Sequence, residues 1–384
     1  MCTLSLNRAR LTPLIRSATW IVRLLILGTL LRGLAPAPVR VTLGPSQTVE
    51  TQHPVVCVHT RLTDEVDEWK IQRTLSLVRE MGAGTIVEYF PWPYVEGRRG
   101  TYDWTHPDRI MQHAANQGIR VIARLGLAPA WTRPPVEEKV TTLTYLTADY
   151  YDEFANFAGA FAARYQDDLL GVIVWNEPNL SFEWGSRPVD PESYIELLRL
   201  SSDAIHANAP GVLVLGGALA PTIEPEGSGS GMSDLRYLER MYEAGAIGAF
   251  DALAVHTYGF TRPPDDPPNP DTINFRRVEL IREIMVQHGD ADTPIYITES
   301  GWSGDPLWVN GVHPGERITY TLQAYQMVED WPWAQRLCLW IFRQPDDTNR
   351  RDAYFALVSS DFYLKPLYEA VQAYARDWPN PYAP

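Results

Sequence analysis

The chain has 384 residues, of which 45% are hydrophobic and 21% are charged, so it is globular and long enough for one large domain or two ordinary ones. Its formal net charge of −14 excludes a polyanionic partner such as nucleic acid, which needs basic patches, and is compatible with a neutral ligand. The 13 Trp and 19 Tyr residues exceed the needs of a core and provide flat rings on which sugars stack.

The N-terminal segment has the composition of an export leader. Several arginines precede an apolar stretch at 24–31, which is too short for a membrane span of about 20 residues, and 35–37 offers small residues for cleavage. We therefore predict that residues 1–38 are a signal peptide and that the protein is exported to the cell envelope or beyond. Because Pro38 disfavours cleavage, an uncleaved leader that anchors the chain to a membrane is an alternative, and a start codon upstream of the true domain is another.

From residue 53 to 378, β-rich runs alternate with helix-period runs. The predicted strands are 55–59, 85–89, 119–124, 172–175, 212–216, 251–256, 295–298 and 337–341. The predicted helices are 66–81, 107–117, 149–165, 191–208, 233–244, 274–288, 316–329 and 366–376. Eight strands, each followed by a helix, predict an α/β domain with a (β/α)8 TIM barrel fold over 53–378, and a doubly wound open sheet is the alternative.

Loop lengths distinguish the two faces of the predicted barrel. The connections from helix to strand are short and marked by glycine, which is typical of helix C-caps. The connections from strand to helix are longer, notably at 131–147, 227–232, 262–271 and 303–314. TIM barrels build their binding clefts on the carboxyl side of the strands, so these loops predict a cleft there.

Only three cysteines are present, and Cys57 and Cys338 lie in the first and last predicted strands. These strands are neighbours in a closed barrel, so a disulfide is compatible with an oxidising compartment. Both cysteines lie in apolar runs, which favours two buried free thiols instead. The eight histidines are scattered, and no Cys/His cluster has metal-ligand spacing, so no metal or other cofactor is expected.

Aromatic and polar residues follow several of the strand ends. Trp92 comes after the second strand, and Trp131 comes after the third. His256 and Tyr258 end the sixth strand, and their spacing of two residues points both side chains the same way. Trp340 ends the eighth strand. We predict that these residues gather on one rim and line a substrate-binding mouth.

Two of the predicted strands end on a glutamate. The run 171–179, Gly-Val-Ile-Val-Trp-Asn-Glu-Pro-Asn, is apolar until it reaches Glu177, and Pro178 then stops the ladder. The run 293–302 ends in the same way on Glu299. Since roughly three strand-plus-helix units separate the two glutamates, they would face each other across the mouth of one barrel. Most glycosidases cleave the glycosidic bond with two carboxyl groups that face each other across a cleft.

These motifs resemble a known family. The sequence Trp-Asn-Glu-Pro-Asn-Leu at 175–180, with Ile-Thr-Glu-Ser at 297–300, is similar to the clan A glycoside hydrolases, which are retaining enzymes. The runs Ala-Arg-Leu-Gly-Leu-Ala-Pro at 123–129 and His-Thr-Tyr at 256–258 make the chain most similar to glycoside hydrolase family 39, with family 5 next. The resemblance covers about residues 53 to 376 and implies a TIM barrel with two catalytic glutamates.

The resemblance implies individual roles for the matching residues. Glu177 would be the acid/base, Glu299 the nucleophile, and Asn176 the partner of the sugar 2-hydroxyl. Tyr258 would hydrogen-bond the nucleophile. The remaining residues that the resemblance places in the same subsite are His256 and Trp340, the latter as the platform under the reacting sugar.

One position departs from the clan's pattern. The clan commonly has an arginine near the end of the second strand that supports the nucleophile, and this chain has Glu88 there. Arg124, on the third strand, is the nearby substitute. If Arg124 did not reach Glu299, the electrostatic support of the nucleophile would be missing.

These observations predict a retaining glycoside hydrolase that cleaves β-linked O-glycosidic bonds of a neutral oligosaccharide or polysaccharide by double displacement. Its partner would be a carbohydrate substrate, and no cofactor is needed. The alternative is a carbohydrate-binding barrel that keeps the cleft and has little or no turnover, which the departure at Glu88 favours.

Overall fold

The computed structural model describes Arg23 and residues 41–133, 142–346 and 350–382. Leu43–Pro384 forms one compact unit. The predicted leader at 1–38 lies outside the described residues apart from Arg23. Within the described ranges, each helix is too short or too polar to cross a membrane.

Eight parallel strands form a closed barrel in chain order, in which each strand pairs with its sequence neighbours and the last pairs with the first. The strands are β1 Val56–His59, β2 Thr85–Pro91, β3 Arg120–Gly126, β4 Leu169–Val174, β5 Leu213–Leu219, β6 Ala252–Tyr258, β7 Ile295–Gly301 and β8 Ala334–Leu339. The predicted (β/α)8 TIM barrel is confirmed, and the doubly wound sheet is excluded because the sheet has no open edge.

Helices alternate with the strands and cover the outside of the barrel. They are α1 Glu68–Met81, α2 Trp92–Val95, α3 Thr105–Asn116, α4 Tyr151–Tyr165, α5 Pro191–Asn208, α6 Asp234–Glu243, α7 Arg277–Gln287, α8 Pro314–Asp330, α9 Arg350–Ala353 and α10 Pro366–Ala375. Eight of them match the predicted helices, and α2 and α9 are single turns in the loops after β2 and β8.

Local sequence explains where the better-defined helices begin. At α5, the Asp190 side chain accepts a hydrogen bond from the Ser193 amide, and Pro191 occupies the first turn. At α8, His313 and Glu316 form a reciprocal capping box around Pro314. These caps satisfy amide groups that have no partner inside the helix.

Alternation along the strands divides the apolar side chains between two cores. One core lies between the sheet and the helices and contains most of the buried residues. The other fills the barrel interior, and its members are Cys57, Val87, Ile122, Ile173, Leu215, Ala218, Ala252, Ala254, Tyr296 and Cys338. Side chains therefore fill the barrel interior, and TIM barrels with such a core bind their ligands at the carboxyl ends of the strands.

The interior core contains a disulfide between Cys57 and Cys338. The prediction that favoured two free thiols is wrong. Both cysteines are inward-facing, and they are direct register partners across the seam between β1 and β8. Apolar surroundings alone did not distinguish a buried thiol from a buried disulfide, because the distinguishing fact is this lateral pairing.

We expect the double substitution Cys57→Ala with Cys338→Ala to lower the free energy of unfolding by about 2–5 kcal/mol. The bond joins residues separated by 281 positions, so it restricts a long loop of the unfolded chain. Thermal unfolding without reductant measures the effect, and mass spectrometry of the alkylated wild type checks the bond. Equal melting temperatures for the variant and the oxidised wild type would contradict the prediction.

Candidate active site

Four strands bring the predicted polar residues to one rim of the barrel. Arg124 lies on β3, His256 and Tyr258 lie on β6, and Glu299 lies on β7. Glu177 follows β4. All five lie at the carboxyl ends of their strands, which is where the sequence placed the cleft.

The backbone after β4 turns Glu177 into the cleft. The strand ends at Val174, one residue earlier than predicted, and both Trp175 (φ 71°) and Glu177 (φ 44°) adopt left-handed conformations. Trp175 is thereby turned into the outer core, where its indole donates a hydrogen bond to the Glu183 carbonyl at 2.8 Å. Left-handed residues other than glycine cost on the order of 1–3 kcal/mol each and are concentrated at functional sites.

An irregularity in the ladder sets the direction of Glu299. Val255 pairs with Ile297, but the next residue of β6, His256, pairs with Glu299. Thr298 is therefore an extra residue, as in a β-bulge. Because Tyr296 faces the barrel interior, strict alternation would point Thr298 inward and Glu299 outward. The extra residue reverses this parity and brings the Glu299 carboxylate to the rim.

His256 lies close to both glutamates and connects them. One carboxylate oxygen from each glutamate and one ring nitrogen of His256 all lie within 4.8 Å of one another. Nδ1 of His256 is 2.8 Å from Oε1 of Glu177 and 3.7 Å from Oε2 of Glu299. Burial alone would lower the pKa of His256, but the Glu299 and Glu177 carboxylates outweigh it and raise that pKa above its ordinary value.

Glu299 is surrounded by hydrogen-bond donors. Nη1 of Arg124 donates to Oε1 at 2.6 Å, and the hydroxyl of Tyr258 donates to Oε2 at 2.9 Å. Burial alone would raise the pKa of Glu299, but the charges of His256 and Arg124 and the Tyr258 hydrogen bond lower it to about 2. The Glu299 carboxylate is therefore ionised and fixed in position by two groups.

Arg124 contacts Glu299, whereas the residue near the end of β2 is Glu88. Arg124 lies two residues beyond the inward-facing Ile122, so it shares that face and reaches both Glu299 and Oδ1 of Asn176, the latter at 2.8 Å. Glu88 points the other way, and its carboxylate accepts hydrogen bonds from the Leu62 and Thr63 amides at 2.9 Å. Glu88 therefore stabilises the loop after β1.

His59, at the end of β1, was not predicted as a site residue. Its Nδ1 donates to the Thr60 carbonyl at 3.0 Å, and its Nε2 lies 3.7 Å from Oε1 of Glu299. Burial and the nearby Arg124 guanidinium lower the pKa of His59 well below its ordinary value, so the ring is neutral. Its Nε2 has no partner among the described residues and is available as an acceptor at the floor of the site. Side chains alternate along a strand, so His59 shares the inward face of Cys57, two residues earlier. This alternation is the sequence signal that could have identified His59.

Trp340 stands next to this floor. Its ring meets the His59 ring edge-on, with centroids 4.7 Å apart, and its indole hydrogen-bonds the Asp352 carboxylate on α9. The peptide bond between Trp340 and Ile341 is cis. The ring is half-buried, so part of it is exposed at the rim where the resemblance implied a platform.

The two other predicted tryptophans lie farther from the glutamates. Trp92 is completely buried against Phe154 and Phe157 of α4, so it has no free face for a ligand, and its predicted place at the mouth is wrong. Trp131 is half-buried and packs edge-on against Trp92. None of the contacts of Trp131 among the described residues reaches Glu177. An aromatic residue after a strand can turn toward the helices as readily as toward the cleft, and the sequence did not separate these two cases.

The cluster of Glu177, His256 and Glu299 consists of residue types that can bind a metal ion. Glu177, His256 and Glu299 offer two carboxylate oxygens and an imidazole nitrogen, which suit a divalent metal. However, the Arg124 guanidinium donates to Glu299 at 2.6 Å and places a permanent positive charge beside the cluster. That charge opposes a cation, so the arrangement suits acid–base chemistry better than metal binding.

Comparisons with known proteins place this barrel among glycoside hydrolase structures. No family model and no curated protein sequence matches the chain. A family 39 glycoside hydrolase from the gut symbiont Bacteroides cellulosilyticus has a TM-score of 0.68 and 20% identity, covering 86% of this chain and 65% of that one. A family 39 β-xylosidase from Caulobacter crescentus has a TM-score of 0.61 and 20% identity, covering 86% of this chain and 72% of that one.

A family 5 protein from Bifidobacterium longum, solved in complex with Manβ1-4GlcNAc, has a TM-score of 0.61 at 13% identity and covers 85% of this chain and 78% of that one. The chain spans 65% of the length of the Bacteroides protein, so that protein contains a considerable part with no counterpart here. These structures confirm, at the level of the fold, the resemblance to family 39 with family 5 next.

Proposed function

We propose that this protein is a retaining glycoside hydrolase that cleaves β-linked O-glycosidic bonds of a neutral oligosaccharide or polysaccharide. The observation that carries the proposal is the approach of Glu177 and Glu299, whose oxygens lie within 4.8 Å of each other on one rim. Retaining enzymes hold their two carboxyls about 5–5.5 Å apart, whereas inverting enzymes leave about 6.5–9.5 Å for a water molecule.

In the first step, an oxygen of Glu299 attacks the anomeric carbon and the glycosidic C–O bond breaks. Glu177 gives its proton to the departing oxygen, so the leaving group departs as a neutral alcohol. Nδ1 of His256 lies 2.8 Å from Oε1 of Glu177, so the two atoms share one proton, which belongs either to His256 or to Glu177. This proton stays within reach of Glu177. The donors on Glu299 keep it anionic and aligned for attack.

In the second step, water attacks the anomeric carbon and the bond to Glu299 breaks. The Glu177 carboxylate, having lost its proton, now accepts one from the water, which restores both groups. Two inversions at the anomeric carbon return the original configuration. Asn176 would hydrogen-bond the 2-hydroxyl as positive charge develops on the ring, and Trp340 would support the sugar from below.

The charge of the whole chain supports a neutral substrate. The net charge is −14, which disfavours the approach of an anionic sugar such as a uronic acid. The β linkage is supported by the Caulobacter neighbour, which is a β-xylosidase. The alternative of a non-catalytic binding barrel rested on Glu88, and the contact between Arg124 and Glu299 removes that reason.

We expect the purified protein to hydrolyse at least one member of a panel of aryl β-glycosides of xylose, glucose, galactose and mannose. Release of the aryl alcohol measures turnover, and NMR of the first sugar product should show the β anomer. The double variant Glu177→Gln with Glu299→Gln is the matched control, since it keeps the shape of both side chains. A first product with the α configuration would contradict the retaining mechanism, and no turnover on the whole panel would contradict the proposal.

We also propose that the protein is exported and that residues 1–38 serve that purpose. The disulfide between Cys57 and Cys338 supports this proposal, because disulfides persist in oxidising compartments and are rare in the cytosol.

We expect removal of residues 1–38 to leave a soluble, folded domain with the activity of the full chain, because none of those residues belongs to the eight strand–helix units. Circular dichroism and the aryl glycoside assay measure fold and activity. Aggregation of the truncated protein under conditions in which the full chain stays soluble would contradict the leader assignment.

A further inference from the structure

A cavity of about 270 Å³ lies between the N-terminal ends of two outer helices, α8 and α10. Arg317 lines it from the first turn of α8, and Lys365, directly before α10, lines it as well. Within the described part of the chain, no acidic residue and no residue of the proposed catalytic rim lines this cavity. The cavity therefore has a positive lining and is separate from the proposed active site.

Arg317 is a buried cation without a counter-ion, since it is only 8% exposed. Three other arginines in the described ranges are buried, and each forms an ion pair with a carboxylate: Arg124, Arg277 and Arg343. Arg317 forms no such pair with any described residue. Burial lowers the pKa of Arg317 to about 10, whereas a neighbouring carboxylate would raise that pKa. The guanidinium is therefore still charged at neutral pH, and its charge is buried without compensation.

Two backbone carbonyls hold the Arg317 guanidinium in place. Its Nε donates to the Trp302 carbonyl at 2.8 Å, and its Nη2 donates to the Phe355 carbonyl. Both acceptors are neutral, so they orient the group without cancelling its charge. The remaining nitrogen, Nη1, has no hydrogen-bond partner among the described residues, and it is the nitrogen available to a ligand in the cavity that Arg317 lines.

The start of α10 provides further donors at the same cavity. Nζ of Lys365 donates to the Ala353 carbonyl at 2.6 Å, which fixes the ammonium beside the cavity. No side chain caps this helix, and Pro366 has no amide hydrogen. The next residue, Leu367, also lines the cavity, and its amide has no partner among the described residues. Such an amide at a helix N-terminus favours an anion.

The acidic residues in the first turns of the two helices are engaged elsewhere. Glu316 of α8 is exposed and accepts a hydrogen bond from the His313 amide at 2.9 Å. Glu369 of α10 is exposed and accepts a hydrogen bond from the Tyr382 hydroxyl. Neither residue lines the cavity. The protein therefore supplies cations and amide donors to this cavity from both helices and supplies no carboxylate to its lining.

We propose that this cavity binds an oxyanion of the phosphate or sulfate class, held by the Arg317 guanidinium, the Lys365 ammonium and the Leu367 amide. The cavity volume of about 270 Å³ is close to the lower end of pockets that hold small organic ligands, about 300 Å³. A free oxyanion or the phosphate group of a small ester therefore fits. The site is independent of the proposed glycosidase activity.

Charge and geometry both favour such a ligand. A tetrahedral oxyanion has several acceptor oxygens, so it can bind the guanidinium, the ammonium and the amide at the same time. It also compensates the buried charge of Arg317, which the protein leaves without a carboxylate. The net charge of the chain is −14, so a bound anion needs a local group of cations such as this one.

The test is isothermal titration calorimetry of the full-length protein with inorganic phosphate, sulfate and glycerol phosphate, at an ionic strength held constant with chloride. We expect saturable binding in the low millimolar range or tighter, and tighter binding of glycerol phosphate than of inorganic phosphate would identify an ester as the ligand. Arg317→Met and Lys365→Met should each weaken binding by about 10- to 100-fold, the effect of losing a hydrogen bond to a charged group. Arg98→Met, an exposed change of the same charge, is the matched control and should leave the affinity unchanged.

Lys365→Met keeps both bonds from Arg317 to the carbonyls, so it decides the question if Arg317→Met does not fold. Thermal unfolding adds a second measurement, because a ligand that binds only the folded state raises the melting temperature. Phosphate also stabilises proteins without binding them, so the rise in the wild type must exceed the rise in Lys365→Met. Equal affinities in the wild type and Lys365→Met, or no saturable binding of any of the three anions at tens of millimolar, would overturn the proposal.

Discussion

Glu299→Ala is expected to lower kcat/KM on the order of 10⁴- to 10⁶-fold, the scale of losing a covalent nucleophile. Without this carboxylate no glycosyl-enzyme forms, so the loss should be similar for good and poor leaving groups. Glu177→Ala should lose about 10²- to 10⁴-fold on poor leaving groups, since the departing oxygen then has no proton donor. On a leaving group that departs without a proton, Glu177→Ala should still form the glycosyl-enzyme.

Added azide should separate the roles of the two glutamates by stereochemistry. In Glu177→Ala, azide attacks the glycosyl-enzyme from the face that the leaving group has vacated, and the product should be the β-glycosyl azide. In Glu299→Ala, azide can only occupy the space of the missing carboxylate, so it displaces the leaving group directly and should give the α-glycosyl azide. NMR of the products distinguishes the two outcomes.

Glu196→Ala, treated with azide in the same way, is the control for this experiment. It removes an exposed carboxyl of α5, so the product formed with azide should remain that of the wild type. Exchanged stereochemistry between the Glu177 and Glu299 variants would reverse the two roles. Near wild-type activity in both variants would contradict the glycosidase proposal.

Arg124→Met is expected to lower kcat/KM by on the order of 10²- to 10³-fold, the usual effect of removing one preorganised electrostatic donor. The substitution removes the donor to Glu299 at 2.6 Å and the donor to Asn176 at 2.8 Å, while a chain of similar length still fills the space. Because it leaves a buried carboxylate without its guanidinium partner, we also expect the free energy of unfolding to fall by about 3–5 kcal/mol at neutral pH.

The pH dependence of this variant has a definite sign. In the wild type the pKa of Glu299 is about 2, below the ordinary value of about 4.3 for an unfolded glutamate. Ionised Glu299 therefore contributes stability above about pH 4.3, and this contribution is lost as the pH falls toward 2. Removing Arg124 raises the pKa of Glu299, so the acid limb of kcat/KM should move to higher pH, and the stability difference from wild type should narrow in acid.

Profiles of kcat/KM and of melting temperature against pH measure both effects. Arg98→Met, an exposed substitution with the same change of charge, is the control and should leave the acid limb in place. A folded Arg124→Met protein whose acid limb coincides with that of the wild type would show that the guanidinium has no control over the ionisation of Glu299.

Several parts of the molecule could be predicted from the sequence because they depend on local pattern. Apolar runs, helix caps and the positions of proline and glycine located all eight strands within three residues of their observed bounds. The placement of Glu177 and Glu299 at strand ends followed from the same pattern. Alternation also accounts for Arg124, which lies two residues beyond an inward-facing isoleucine.

The sequence by itself determined the barrel and the two glutamates, because strand periodicity and chain order are properties of consecutive residues. Only the tertiary structure decided what depends on lateral packing between distant segments. Register across the closing seam joined Cys57 to Cys338, and packing against α4 buried Trp92. The left-handed conformation of Trp175 turned that ring into the outer core, and the extra residue at Thr298 reversed the alternation before Glu299. No local pattern encodes these irregularities, because they are stabilised by contacts between neighbouring strands and loops rather than by the residues that undergo them.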